Sequence, residues 1–317
     1  MRVLFAGSPS LAVPALVRTA GRHQVVGVLT CCDQPVGRGG LVEPSPVKRK
    51  ALELGLQLLQ PARLDAAAID QVRGLSPDLL VVAAFGRIFS REFLSLFPCG
   101  GINVHPSLLP RYRGPSPVSA AILAGDTETG VTIQKIAQRF DTGDILAQRA
   151  VALHGDETTG GLTDSLGEIG AELLADVLAP LVPGVPPAGT PQDEQRATYC
   201  RIVQKEDGRI DWSEPAAVLE RKVRACDPWP RAGTSWKGAS LLLLKTAVYP
   251  GTFTGAEGPD AGQPGFVLAA DRQRGLLVRA GDGILAVERL QLQFKKPLDW
   301  RSFLNGHPDF VGTRLGG

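Results

Sequence analysis

The chain has 317 residues, 44% of them hydrophobic, with a formal net charge of +2. That length supports two cores rather than one, and so small a net charge says little about partners. No apolar run reaches the ~20 residues a membrane helix needs. The five cysteines (Cys31, Cys32, Cys99, Cys200, Cys226) form no CxxC pair, which excludes a zinc ribbon and fits reduced thiols in a cytosolic protein. The start, MRVLFAGSPS, enters a strand directly and lacks the features of a signal peptide. A cytoplasmic protein without membrane contact is expected.

Short apolar runs at VLFAG, VVGVLT, DLLVVAAF and GINVH suit strands buried on both faces. Helix-like segments lie between them, at residues 11–20, 45–54, 66–75 and 90–97. This alternation predicts a parallel α/β sheet. GVTIQKIA and DILAQRAVAL add two strands. A long amphipathic helix follows Gly161, with Leu162, Leu166, Ile169, Leu173 and Leu174 on one side. Residues 183–198, PGVPPAGTPQDEQRAT, are rich in Pro and Gly and read as a linker. IDW, from Ile210, opens a new segment. From Ala232 on, short runs punctuated by glycine turns give an all-β pattern that fits a small barrel. The predicted class is therefore α/β: a Rossmann-like open parallel sheet at residues 1–182, a linker at 183–204 and a small OB-like β-barrel at 205–317.

Charge divides unevenly. Residues 1–204 hold 18 Lys and Arg against 19 Asp and Glu, and residues 205–317 hold 16 against 13. A positive barrel can serve nucleic acid, but a surplus of this size is ordinary and by itself favours no partner.

The stretch GINVHPSLLPRYRGPSP, residues 101–117, begins as a buried strand yet carries Asn103 and His105. Two residues apart, they point to the same face, at the strand end where open α/β sheets bind ligands. An amide beside an imidazole suits oxyanion stabilisation and proton movement. A histidine capping a strand and an asparagine filling a turn would give the same pattern. Asp141 and Asp144, in QRFDTGDIL, sit in a turn between strands. An aspartate near His105 could hold its tautomer and stabilise its charged form, although acids beside a turn glycine are common. His23, His154 and His307 stand outside this pattern.

INVHPSLLPRYRG with FDTGDIL downstream resembles the folate-dependent formyltransferases. The resemblance implies a catalytic trio of Asn103, His105 and Asp141, and a folate-binding loop of Ser107, Leu108, Leu109 and Pro110. The prolines would limit loop motion and keep the folate surface in register with the trio. The first strand is followed by AGSPSLAVPAL, without the glycine-rich phosphate cradle of the glycinamide ribonucleotide branch. Three features resemble the methionyl-tRNA branch instead: the insert TCCDQPVGRGGLVEPSPVK at residues 30–48, the IDWSEPAAVLERKVRACDPWPRA segment at residues 210–232, and the barrel that follows. In that branch the insert meets the tRNA acceptor stem. The resemblance thus makes Arg38 a tRNA-binding residue, with Lys48, Arg49 and Lys50 near it, and residues 205–317 a tRNA-binding domain.

The implied reaction is N-formylation of methionine on initiator methionyl-tRNA for translation initiation, with 10-formyltetrahydrofolate as donor, no metal, and a monomer as the working unit. Asn103 and protonated His105 would stabilise a tetrahedral oxyanion, and Asp141 would orient His105. Two other functions fit the scaffold: a sugar-nucleotide N-formyltransferase, and a non-catalytic RNA-binding protein. Retention of all three polar groups argues against the second.

Overall fold

The computed structural model describes residues 1–36, 41–253 and 261–316. They form two compact units, one of residues 1–118, 128–153 and 161–201, the other of residues 119–127, 154–160 and 202–316.

In chain order the first part holds β1 (Arg2–Gly7), α1 (Val13–Ala20), β2 (Gln24–Leu29), β3 (Gln34–Val36), β4 (Leu41–Glu43), α2 (Pro46–Glu53), β5 (Leu58–Leu59), α3 (Ala66–Gly74), β6 (Leu79–Ala83), α4 (Arg91–Leu94), β7 (Gly101–His105), α5 (Pro117–Ala124), β8 (Glu128–Lys135), β9 (Ile145–Ala152) and α6 (Thr159–Leu178). Helix starts follow their capping residues. Ser45 Oγ accepts from Lys48 N–H, Asp65 Oδ1 from Ala68 N–H and Ser90 Oγ from Phe93 N–H, each satisfying an orphan donor of the first turn. The segment at residues 90–97 is helical only over α4. Past it, Phe97 reaches Pro98 and a left-handed Gly100 (φ +76°), which cannot continue a helix.

The main sheet has the order β5-β2-β1-β6-β7-β8-β9. It is open and parallel-rich as expected, with one correction. β7 pairs antiparallel with β8, and β8 with β9. Residues 136–144, joining β8 to β9, are too few for a parallel crossover, which needs a dozen or more. Val3 to Ala6 and Leu79 to Leu80 are buried on both faces, as the apolar runs require. α6 starts at Thr159, three residues before the predicted start, and buries Leu162, Leu166, Leu173 and Leu174. It lies close against the sheet at Gly170, where a Cβ would fall 2.8 Å from Val104 Cγ1.

The stretch read as a linker is fixed along much of its length. Thr190 and Ile145 exchange backbone hydrogen bonds at 2.8 and 2.9 Å. Thr198 and Cys200 pair with Arg113 at 2.9 and 2.8 Å. The stretch is polar because its partners are hydrogen bonds rather than apolar contacts, so composition alone could not distinguish it from a tether.

The second unit carries α7 (Ala216–Ala225), β10 (Ala232–Trp236), β11 (Ala239–Val248), β12 (Val267–Asp271), β13 (Gly275–Arg279), β14 (Ile284–Leu292), β15 (Leu298–Asp299) and α8 (Trp300–Gly306). Its antiparallel sheet has the order β10-β11-β14-β13-β12, with β15 beside β14. Ile210 and Trp212 of the IDW segment are buried in its core with Leu219, Trp236, Leu241 and Phe303. Among the described residues no helix is long and apolar enough to cross a membrane.

Candidate active site

β8 lies beside β7 with Asn103 opposite Gln134 and His105 opposite Thr132, and Thr132 in turn faces Gln148 on β9. Directly opposed residues share a face. The three strands therefore carry a polar face of Asn103, His105, Thr132, Gln134 and Gln148. Their other face is apolar, with Ile102, Val104, Val131 and Ile133 all buried. His105, Thr132 and Gln134 are buried too, so each needs a partner in the protein or a ligand.

Asp141 supplies one, from the turn between β8 and β9. Its Oδ1 lies 3.5 Å from His105 Nδ1 and 3.4 Å from Asn103 Nδ2, and accepts from Gln134 Nε2 at 2.9 Å. Its Oδ2 accepts from Gly114 N–H at 2.9 Å. On the other side of the ring, His105 Nε2 lies 3.0 Å from the Tyr112 carbonyl. A carbonyl only accepts, so Nε2 carries a proton in that bond. The imidazole is thus gripped between a carbonyl and a carboxylate. The His105 and Asp141 side chains are only 6% and 10% exposed, and little water competes for these contacts.

The FDTGD motif owes its glycine to this turn. A Cβ at Gly143 would fall 1.8 Å from the Lys135 carbonyl oxygen. Asp141 itself sits at φ +55°, a left-handed conformation that Asp tolerates better than most residues. The two acids of the motif separate here. Asp144 leaves the site and pairs with Lys135 Nζ at 2.9 Å, closing the ends of the turn.

The Ser107 to Pro110 segment is pinned by β8 and β9. Thr132 Oγ1 donates to the Ser107 carbonyl at 2.6 Å and accepts from Leu109 N–H and Gln148 Nε2, which also donates to the Leu109 carbonyl. Ser107 Oγ donates to the Arg111 carbonyl. Ser107, Leu109 and Pro110 are buried, and Leu108 is half-buried. What this segment can offer a ligand is therefore the Leu108 side chain and the Leu108 N–H, a backbone donor without a partner among the described residues. Arg38 lies outside the described residues. Sequence reasoning missed Gln134, the Tyr112 carbonyl and the Gly114 N–H. Gln134 left a signal: Thr132 and Gln134 alternate with Val131 and Ile133, marking a strand with one polar face.

Cys200 lies against the Tyr112 and Arg113 carbonyls, at 3.7 and 3.4 Å. Burial pushes its thiol up from the ordinary value, and the Asp141 charge adds to this, so Cys200 is a protonated donor rather than a nucleophile at neutral pH. Among the described residues no cluster of three or more His, Cys, Asp or Glu side chains could hold a metal ion.

The formyl transferase family pattern matches residues 1–178, and the pattern for the formyl transferase C-terminal domain matches residues 202–308. A methionyl-tRNA formyltransferase of Treponema pallidum is 48% identical over 327 residues, covering 100% of this chain and 99% of that protein. One from Roseiflexus castenholzii is 47% identical over 324 residues, again covering 100% and 99%. Among solved structures, an N-formyltransferase from Helicobacter canadensis, in complex with folinic acid and dTDP-3-aminofucose, has a TM-score of 0.64 at 17% identity, over 90% of this chain and 98% of that one. HypX from Aquifex aeolicus, in complex with tetrahydrofolic acid, has a TM-score of 0.60 at 20% identity, over 98% of this chain and 48% of that one. At those identities the two structures share the fold. With both halves matched and close relatives covered over their whole length, the chain belongs to the formyl transferase family, among the methionyl-tRNA formyltransferases.

Proposed function

We propose that this chain transfers the formyl group of 10-formyltetrahydrofolate to the amino group of methionyl-initiator tRNA, for translation initiation. The meeting of Asn103, His105 and Asp141 on one polar sheet face carries the reading. It occurs in a chain that methionyl-tRNA formyltransferases match over its whole length. Asn103 donates to the oxyanion that develops at the formyl group. Among the described residues its amide is engaged only by the long 3.4 Å contact to Asp141 and so keeps donor capacity. His105 holds and moves a proton, and Asp141 orients the ring and stabilises its cation. Leu108 and its N–H meet the folate, with Ser107, Leu109 and Pro110 as the fixed backing. Bound at this face, the folate supplies an electrophilic formyl carbon. The enzyme acts in the cytoplasm, a reading that five free cysteines fit, and works as a monomer.

The test is formyl transfer from the labelled folate to charged initiator tRNA, beside an amino-sugar nucleotide. Transfer to the tRNA alone is expected. Transfer to the sugar nucleotide alone would make the chain a sugar-nucleotide N-formyltransferase. No transfer to either acceptor would leave an RNA-binding protein on this scaffold.

Arg38 and its insert contact the acceptor stem of the tRNA. The described root of the insert is firmly held. β3 and β4 pair as a two-stranded ribbon, and Lys48 Nζ lies 2.7 Å from Asp33 Oδ2. Lys48 and Gln60 together hold the Asp33 carboxyl below its ordinary value. Arg38→Ala should lower formylation of tRNA while leaving slow hydrolysis of the formyl donor intact. Equal losses in both assays would move Arg38 to the donor site.

The C-terminal domain, residues 205–317, supplies contacts to the RNA backbone. Six lysines carry ion pairs, on Lys48, Lys50, Lys135, Lys222, Lys237 and Lys245. Lys295 and Lys296, exposed in the β14–β15 turn beside an exposed Phe294, carry none among the described residues. With Lys205, which is exposed and likewise carries none among the described residues, they are the lysines most open to phosphate. Replacing Lys295 and Lys296 with alanine should flatten the slope of log K for tRNA against log salt by about 0.9 for each phosphate that is no longer neutralised. An unchanged slope and affinity would remove this turn from the tRNA surface.

A further inference from the structure

Of three consecutive residues of the first unit, the outer two touch the site directly. The Tyr112 carbonyl meets His105 Nε2, and the Gly114 N–H donates to Asp141 Oδ2. Between them, Arg113 turns away, and its side chain is only 1% exposed. A buried guanidinium is costly unless its donors are taken. Here Nε and Nη2 both donate to Gln192 Oε1, at 3.0 and 2.8 Å. The outer nitrogens donate to the two Glu194 oxygens at 2.9 and 2.7 Å, and Nη1 also meets the Tyr199 hydroxyl at 3.2 Å. Glu194 holds the Arg113 cation more firmly protonated than usual, and Arg113 in turn lowers the Glu194 carboxyl.

Gln192 uses its other end differently. With Oε1 fixed by Arg113, its Nε2 is aimed the opposite way, at the main chain of the Asp141 turn. It donates to the Asp141 carbonyl at 2.9 Å and to the Gly143 carbonyl at 2.7 Å. It also lies 3.4 Å from Oε1 of Gln134, whose own amide holds the Asp141 carboxylate. The turn so held is the one with a left-handed Asp141 and with Gly143 pressed on the Lys135 carbonyl. An unsupported aspartate has other conformations open to it. One side chain therefore ties a buried cation to the backbone that aims the carboxylate at His105.

We propose that Gln192 is a positioning residue for formyl transfer: oriented by Arg113, it holds the Asp141 turn so that the carboxylate stays on His105 and Asn103. The segment that composition marks as a linker thereby completes the site. The proposal rests on the assignment of His105 and Asp141 to formyl transfer made above.

The two ends of Gln192 can be separated by one substitution. In Gln192→Glu of the full-length chain, a carboxylate still accepts from Arg113, now with a charge to match it. Its other oxygen would face the Asp141 and Gly143 carbonyls with no proton to donate. If Gln192 only satisfies Arg113, this variant keeps both stability and activity. If it positions Asp141, kcat falls by about tenfold to 10²-fold, the range for a small misplacement of reacting groups, with some stability lost as the two carbonyls go unpaired. KM for folate and tRNA should stay within about twofold, since Gln192 touches neither proposed binding surface. Gln192→Ala should lose kcat to a similar degree and lose thermal stability as well, because Arg113 then loses an acceptor.

The measurements are kcat, KM for each substrate and the thermal midpoint, on wild type and both variants. A Gln192→Glu variant with wild-type kcat would overturn the proposal, as would a loss confined to KM. Wild-type protein that formylates no tRNA would sink the underlying assignment instead, so the two failures are distinguishable.

Discussion

Replacing His105 by alanine is expected to lower kcat for formyl transfer by about 10²–10⁴, the usual loss for a positioned acid–base group. The ring stands between the Tyr112 carbonyl at 3.0 Å and Asp141 Oδ1 at 3.5 Å. No neighbour can take its place, because Thr132 and Gln134 on the same face offer neither a proton near neutral pH nor a basic nitrogen. The substitution leaves a small hole on the polar face and one carbonyl short of a donor. The cost in stability should be about 1–3 kcal/mol, small enough for the fold and folate binding to persist. The apolar face, with Val104 against α6, does not touch the ring. The check is single-turnover transfer, with folate affinity and thermal midpoint measured on the same preparation. Turnover near that of wild type, with the fold intact, would remove His105 from the chemistry.

How much of this was legible in sequence depends on the range of the interaction. Asn103 and His105 could be placed together because the two-residue period of a strand is local. The fold class followed from apolar runs alternating with helical segments, and α2 and α3 fall within the expected spans 45–54 and 66–75. The direction of β8 and β9 did not follow from the alternation of strands and helices. The short connection at residues 136–144 carried the direction of β9 relative to β8, since a parallel return needs a longer path, but residues 106–127, which join β7 to β8, are long enough for either direction. From its residue type and spacing Asp141 was legible only as one of two acids around a glycine, and it was the family resemblance that singled it out. The turn gives the physical reason, since in it Asp144 goes to Lys135 and Asp141 to His105. Gln192 was invisible for a different reason. It sits among Pro, Gly and polar residues that bury no apolar surface, and its role depends on Arg113, far away in sequence. An interaction of that kind leaves no periodic trace.

Asp141→Asn is expected to be nearly as damaging as the loss of His105, although it changes one atom's chemistry and keeps the shape. Asparagine tolerates the left-handed φ of +55° about as well as aspartate, so the turn should form and Gln192 should still hold it. The carboxylate, however, accepts from Gly114 N–H on one oxygen and from Gln134 Nε2 and Asn103 Nδ2 on the other, with His105 Nδ1 3.5 Å from that second oxygen. An amide can satisfy one of these sides and must present an NH₂ to the other. Gly114 is main chain and cannot turn, whereas the Gln134 and Asn103 amides can flip. The new oxygen therefore goes to Gly114, and the NH₂ goes to the His105 side. There it favours a ring with a bare Nδ1 and its proton on Nε2, against the Tyr112 carbonyl. The imidazole then lacks both the proton on its inner nitrogen and the negative charge that stabilises its cation. A flipped Asn103 would also turn its carbonyl toward the space where an oxyanion forms. The expected result is a fall in kcat of about 10²–10⁴, with KM for both substrates and the thermal midpoint close to wild type. Parallel kinetics and melting curves on the two proteins decide it: activity within a few-fold of wild type would mean that Asp141 only fills the turn, and that the orientation of His105 rests on Tyr112 alone.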